Sequence, residues 1–245
     1  MTRRWNDELF EDRFNRLVVG GTFNEEPAYY PRYKSRYKDL LLRYAALAPD
    51  APQRVLDVGG GQLALLCHAM WGDEAHGADI GGDHLAYLRS QGVGTTQWNL
   101  CTNEQPFESE SEFDFVFFSE VIEHLPIPGH LVLERLRRAL RPGGTLICST
   151  PNLYRLRNIV FMLMGKRIFD HFRMPTDHGL GHVLEYSREH LVWQLETAGF
   201  VRPEVVFVQM HHAPNRLVYR ILYVLGSPLF LVPRWRDNLV AIARR

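Results

Sequence analysis

The chain has 245 residues, room for one substantial α/β unit with an added lobe but not for two large domains. Apolar residues make up 46% and charged residues 23%, which excludes a disordered chain and fits an ordinary globular one. Twenty-eight basic residues offset 28 acidic ones, so no net field steers the protein toward nucleic acid and a polyanion would need a local patch.

Basic residues cluster at 135–141 and 155–173, runs that read mainly as solvated helix faces. Cys67, Cys101 and Cys148 are too widely spaced for a disulfide framework or a zinc knuckle, and their apolar neighbours predict buried thiols. The first residues turn acidic at once and lack the apolar core of a secretory signal. No run approaches the roughly 18 apolar residues of a membrane span. A cytoplasmic location is expected.

In chain order, residues 1–50 read as a polar helical cap, ended by Pro49 and Pro52. It carries an aromatic and basic stretch, 29–37, in which Tyr33 and Tyr37 share a helix face; closing a pocket and packing on a sheet are equally good readings. From residue 53, short apolar runs alternate with amphipathic ones. They predict strands over 54–58, 75–78, 95–98, 113–118, 145–149, 205–209 and 239–243, and helices over 63–71, 84–91, 128–139 and 187–198. This is the pattern of a mostly parallel sheet in an α/β domain over 51–245. Two segments break the alternation, 152–181 and 211–236, and both are expected to form lids over the carboxyl edge of the sheet. In the second, Leu217, Val218, Ile221, Leu222 and Leu225 fall at helical spacing; a lid is favoured there over a helix lying on a membrane surface.

The run 55–62, Val-Leu-Asp-Val-Gly-Gly-Gly-Gln, leaves the first strand and opens a helix. Glycines there let the backbone turn tightly and approach a ligand without a Cβ in the way. Asp79 follows at the end of the second strand, where a carboxylate can accept hydrogen bonds from both hydroxyls of a ribose. Turn and acid together predict an adenosine-type ligand. Asp57, inside the strand end, can order the glycine loop and help hold a cationic ligand. A pyrophosphate site would instead want a helix N-terminus, usually with a further glycine.

Four blocks then carry a resemblance. They are 55–80, 112–125 (Glu-Phe-Asp-Phe-Val-Phe-Phe-Ser-Glu-Val-Ile-Glu-His-Leu), 140–152 (Leu-Arg-Pro-Gly-Gly-Thr-Leu-Ile-Cys-Ser-Thr-Pro-Asn) and 181–200. In order and spacing, over about residues 53–210, they resemble class I S-adenosylmethionine-dependent methyltransferases. The resemblance implies a Rossmann-like α/β fold: a seven-stranded, mostly parallel sheet with an antiparallel last strand, an N-terminal helical cap and inserted lids. It also implies S-adenosyl-L-methionine as cofactor. Asp57, Gly59 and Gly61 then surround its methionine part, Asp79 binds the ribose, Asn99 and Leu100 flank the adenine, and Ser119 and Glu120 line the reactive end, with Gly60 and Ile80 as further cofactor-binding residues. Two positions depart from the family pattern: Leu63 stands where a third glycine is common, and Asn99 where an acid is frequent.

Glu120, Glu123 and His124 stand at i, i+3 and i+4, which in a helical turn puts them on one face. His182 follows in a segment expected to return to the same sheet edge. Two carboxylates and two imidazoles suit a divalent ion such as Mg or Mn. The set resembles the metal cluster of small-RNA terminal 2′-O-methyltransferases and a motif of ubiquinone-type O-methyltransferases. Without a metal, the glutamates and histidine order the loop or supply a general base. His178 is a spare candidate, while His171, His211 and His212 read as surface or lid residues.

The expected activity is O-methylation of a small-molecule acceptor by in-line displacement, with His124 as base, His182 as its alternative, and Glu120 and Glu123 orienting the base or binding an ion. Three alternatives stand beside it: a metal-dependent RNA-terminal 2′-O-methyltransferase, an NAD-dependent oxidoreductase, and a non-catalytic binding protein. The charge balance and the lack of a recognisable RNA-binding module count against the first.

Overall fold

The computed structural model describes residues 2–23, 25–26, 28–102, 106–107, 112–169, 181–210 and 227–245. Seven strands, β1 (Arg54–Val58), β2 (Glu74–Asp79), β3 (Gly94–Gln97), β4 (Phe113–Ser119), β5 (Leu140–Pro151), β6 (Val201–Val208) and β7 (Asn238–Arg244), form one sheet. Their order is β3-β2-β1-β4-β5-β7-β6. The pairs among β1 to β5 are parallel, and β7 alone runs antiparallel to both of its neighbours. This is the Rossmann-like sheet expected. Chain order reverses between β1 and β4, so their carboxyl ends border the crevice where such sheets bind ligands.

The central strands are apolar on both faces because both faces are covered. Leu56, Val58, Val116, Phe118, Leu146 and Cys148 enter one core, which α5 (Gly129–Ala139) and α7 (Arg188–Thr197) close with Leu133, Leu136, Leu191 and Leu195. Val55, Phe115, Phe117 and Ile147 enter the other. That side is closed by α1 (Asp7–Arg13), α2 (Tyr29–Leu47), α3 (Gln62–Trp71) and α4 (His84–Ser90). The N-terminal segment is therefore part of the second core. Phe10 and Phe14 bury fully, and Tyr37, Leu40, Leu41 and Tyr44 make an apolar stripe at helical spacing along an otherwise polar α2.

Three differences from the sequence expectations have local causes. β5 begins at Leu140 rather than 145: extended chain continues through Gly143, whose φ of 78° only glycine adopts readily, with a register shift opposite Phe113 and Phe115. β6 begins at Val201 rather than 205, since an edge strand tolerates Pro203 and a left-handed Arg202 that interrupt the apolar alternation. Cys67 and Cys148 are buried, but Cys101 is exposed in the loop after β3, so the expectation of three buried thiols holds for two.

The first insertion contains a helix, α6 (Leu156–Leu163). Of the second, residues 227–236 make two short 3₁₀ turns, Ser227–Leu231 and Pro233–Trp235. The apolar stripe at 217–225 lies outside the described residues, as do His171, His178, His211 and His212. Among the described residues, no helix is long and apolar enough to cross a membrane.

Candidate active site

At the end of β1 the chain turns through Gly59, Gly60 and Gly61, with φ of 98°, 141° and 84°. All three lie in the region that favours glycine, and a Cβ on Gly59 would also come 2.2 Å from a methyl of Val121. The turn hands the chain to α3, whose first amides need acceptors. Asp57 provides one, as its Oδ2 accepts from the Leu63 amide at 2.8 Å. The carboxyl is 3% exposed, and its pKa is raised to about 7: burial pushes it up most, the Leu63 and Ala64 amides partly offset this, and the charge of Asp79 adds to the rise. Leu63, at the position of the missing third glycine, is buried against the second core.

Asp79 closes β2 and is half-buried, its Oδ2 lying 3.5 Å from Nε2 of the buried His84. Ile80 beside it is 61% exposed. After β3, the Asn99 side chain accepts from the Cys101 amide at 2.9 Å, which shapes the loop. The Leu100 side chain points into the first core, while its carbonyl accepts from the Arg135 guanidinium.

A small polar cavity of about 100 Å³ opens beside the glycine turn, lined by Asp57, Gly59, Gln62, Ser119 and Glu120 together with Tyr29, Arg36 and Tyr37 from α2. Arg36 was not singled out from the sequence. It is 6% exposed, within 4.9 to 5.6 Å of the Tyr29, Tyr33 and Tyr37 rings, and hydrogen-bonded to the Tyr29 hydroxyl at 2.7 Å. Its Nη1 lies 3.3 Å from Oε2 of Glu120. Burial works against the guanidinium charge, but Glu120 and the tyrosines outweigh it and hold the group protonated. Tyr29, Tyr33, Arg36 and Tyr37 fall at i, i+4, i+7 and i+8, one face of a helix, and that spacing was the available signal.

Glu120 has a positive φ of 56°, so it stands outside the single 3₁₀ turn Ile122–His124 that follows. The expectation of one helical face for Glu120, Glu123 and His124 is corrected on this point. Glu120 instead turns into the cavity, where Oε1 accepts from the Ser149 hydroxyl at 2.9 Å and the Asn238 amide at 3.0 Å. Ser119 adds a hydroxyl contact to Ser149 at 2.8 Å.

Among the described residues, Glu123, His124 and His182 each bring one ligand atom within 4.8 Å of the others. Glu120 is not in this group, which leaves one carboxylate rather than two. Glu123 is fully buried: Thr150 donates to its Oε2 at 3.0 Å, and Oε1 has no hydrogen-bond partner among the described residues. Burial, and then the nearby Glu120 charge, push its pKa well up. The His124 and His182 rings meet edge to face at 4.9 Å.

His182 reaches the cluster because its loop is pinned there. The Val183 and Leu184 amides donate to the Glu123 carbonyl at 2.8 and 3.2 Å, and His124 Nδ1 lies 3.3 Å from the Gly181 carbonyl. Behind it, Glu185 is 1% exposed and is met by His182, Arg155 and Asn158. Burial pushes the Glu185 carboxyl up, but the contacts with those three residues outweigh it and the net shift is downward.

Comparison with known proteins decides between the readings of the glycine turn. A family model described as a methyltransferase domain matches residues 29–202, well over half of the chain. The chain belongs to this methyltransferase-domain family. Among curated relatives, the ubiquinone biosynthesis O-methyltransferase of Aeromonas salmonicida (strain A449) is 31% identical over 105 residues, 41% of this chain and 44% of the relative. The enzyme of that name from Cereibacter sphaeroides (strain ATCC 17029 / ATH 2.4.9) is 37% identical over 112 residues, 44% of this chain and 45% of the relative. The matched stretch thus spans less than half the length of these relatives. A crystal structure of a SAM-dependent methyltransferase from Archaeoglobus fulgidus superposes with a TM-score of 0.57 at 18% identity, covering 97% of this chain and 99% of that one. That likeness is of fold. In this methyltransferase domain the match starts at residue 29 and ends at 202, so it takes in α2 and Arg36 as well as β1 to β5, and stops at the start of β6.

Proposed function

We propose that this methyltransferase domain transfers the methyl group of S-adenosylmethionine to an oxygen of a small-molecule acceptor. The observation that carries the reading is the juxtaposition of two chemically different compartments on one loop. Ser119 and Glu120 wall the cavity beside the glycine turn, and Glu123 and His124, three and four residues on, gather with His182 beyond it. The curated relatives' name, an O-methyltransferase of ubiquinone biosynthesis, agrees with an oxygen acceptor.

Adenosylmethionine supplies an electrophilic methyl group on a cationic sulfur. Its amino-acid end suits the small cavity: Arg36 offers a fixed donor pair for the carboxylate, and Asp57 and Glu120 offer negative charge to the ammonium. The nucleoside then extends along the end of β2, with Asp79 accepting from the ribose hydroxyls. The acceptor hydroxyl attacks in line, its oxygen forming the bond to carbon as the carbon–sulfur bond breaks. Positive charge disappears from sulfur, so the protein's work is positioning, exclusion of water and removal of one proton. His124, with His182 as its alternative, receives that proton from the oxygen.

The same three side chains fit a divalent ion. The fully buried Glu123 Oε1, which has no hydrogen-bond partner among the described residues and lies 3.9 Å from His124 Nε2, is the observation that favours one. One carboxylate with two imidazoles suits Mn or a similar imidazole-accepting ion better than Mg, which prefers all-oxygen surroundings. Such an ion would lower the acceptor's pKa and orient it.

The test is incubation with methyl-labelled adenosylmethionine and a panel of catechols, phenols and primary amines, with and without Mn. O-methyl products are expected; products methylated only on nitrogen would overturn the oxygen reading. Electron paramagnetic resonance of added Mn, compared between the native protein and the His182→Ala variant, tests the ion separately from turnover.

A further inference from the structure

We infer that Glu185 is a positioning residue that fixes the His182 tautomer and ties it to the inserted helix α6. The inference rests on the reading of His182 as a member of the reactive cluster. His182 Nδ1 lies 3.1 Å from Glu185 Oε1. The Asn158 amide donates to the other oxygen, Oε2, at 2.6 Å, and the Arg155 guanidinium donates to Oε1. An ionised carboxylate held by a guanidinium only accepts hydrogen bonds, so the proton between Glu185 and His182 belongs to Nδ1. The neutral ring then keeps its lone pair on Nε2, the nitrogen it has left for taking a proton or holding an ion.

The carboxylate is fixed by elements outside the cluster. Asn158, on α6, also donates to the Leu153 carbonyl at 2.9 Å and accepts from Arg155 Nε at 3.3 Å. The root of the insertion is held in turn, because Asn152 donates to the carbonyls of Arg234 and Arg236, both at 2.8 Å, and the Leu153 amide donates to Tyr186. His182 is therefore gripped from two sides. Its loop backbone hangs on the Glu123 carbonyl, and its ring is oriented by a carboxylate bolted to α6. A buried carboxylate with three partners, one of them a reactive-cluster imidazole, orients a ligand or base as an outer-sphere group does.

Two-bond ¹H–¹⁵N spectra of histidine-labelled protein test this. They are recorded with EDTA at about pH 8, above the ordinary histidine range, and the His182→Gln variant assigns the signal. In the native chain His182 is expected as the Nδ1–H tautomer. In Glu185→Leu it is expected to change to Nε2–H, while Glu185→Gln, which keeps an acceptor oxygen, retains Nδ1–H. With adenosylmethionine and catechol as probe substrates, Glu185→Leu is expected to lower kcat by roughly 10- to 100-fold. The KM for adenosylmethionine should stay within about twofold, because Glu185 lines no part of the cofactor cavity. A native Nε2–H tautomer, or a tautomer unchanged in Glu185→Leu, overturns the proposal. The native tautomer decides alone if Glu185→Leu does not fold. If nothing is methylated and the tautomer is Nδ1–H, the transfer reading falls and the dyad stands; if catechol is methylated and the tautomer is Nε2–H, the reverse holds.

Discussion

Arg36 and Glu120 set opposite charges on one wall of a small cavity. On the proposed binding mode, replacing Arg36 by Leu removes the donors for the cofactor's carboxylate, and it leaves Glu120 facing the cavity without its counter-charge. Loss of one charge-assisted contact of about 1.5–3 kcal/mol corresponds to a Kd for adenosylmethionine weakened roughly 10- to 100-fold. Calorimetric titration of Arg36→Leu, alone and combined with Glu120→Gln, measures this. Asp57 adds a pH dependence. Its folded pKa of about 7 lies above the ordinary carboxylate range, so between about pH 4 and pH 7 the folded, ligand-free chain holds a proton that the unfolded chain releases. Stability of the free protein from this group therefore falls as pH rises through that window. A cationic ligand favours the ionised form, so adenosylmethionine binding is expected to tighten by up to about tenfold per unit as pH rises toward 7. The Asp57→Asn variant should flatten the profile, and an equally steep profile in that variant would remove Asp57 as the cause.

At the scale of elements, two joints hold the site in shape. The first is the glycine turn. An alanine at Gly59 would combine a strained left-handed φ with a 2.2 Å approach to Val121, on the loop that carries Glu120 and Glu123. A stability loss of roughly 1–3 kcal/mol is expected, with loss of cofactor binding; urea unfolding with and without adenosylhomocysteine separates the two effects. The second joint ties the N-terminus to the loop before β2. Arg3 makes a two-pronged pair with Asp73 and donates to the Pro49 and Ala51 carbonyls, and Asp73 also accepts from the Tyr44 hydroxyl of α2 at 2.6 Å. Asp73→Ala would strand a buried guanidinium, and a loss of about 3–5 kcal/mol is expected in urea midpoints. A loss under ~1 kcal/mol would mean that the guanidinium finds water or another partner.

For the whole molecule, the sheet is one layer between two cores, and α1 and α2 close one of them. A chain shortened to residues 49–245 would expose Leu63, Leu66, Phe115 and Phe117 and is expected to lack cooperative unfolding in near-ultraviolet circular dichroism. A sharp transition in that fragment would instead make residues 1–48 a dispensable cap.

The amino-acid sequence by itself determined the sheet, the glycine turn and the acid at the end of β2, because these depend on local pattern: apolar runs for buried strands, glycine for left-handed turns, a carboxylate one strand on. It also marked Glu123, His124 and His182, whose residue types are unusual enough to be noticed one at a time. Only the tertiary structure decided how they sort. A positive φ at Glu120 separated two glutamates that helical spacing had joined, sending one to Arg36 and leaving the other with the histidines. Arg36 was hidden because Glu120 lies 84 residues away; Glu185 stands only three residues from His182, but the Asn158 and Arg155 that hold it lie 27 and 30 residues away, and nothing in a local window distinguishes a buried arginine or glutamate from a solvated one. Charge placement is a property of the packed molecule, set by which elements the two cores bring together.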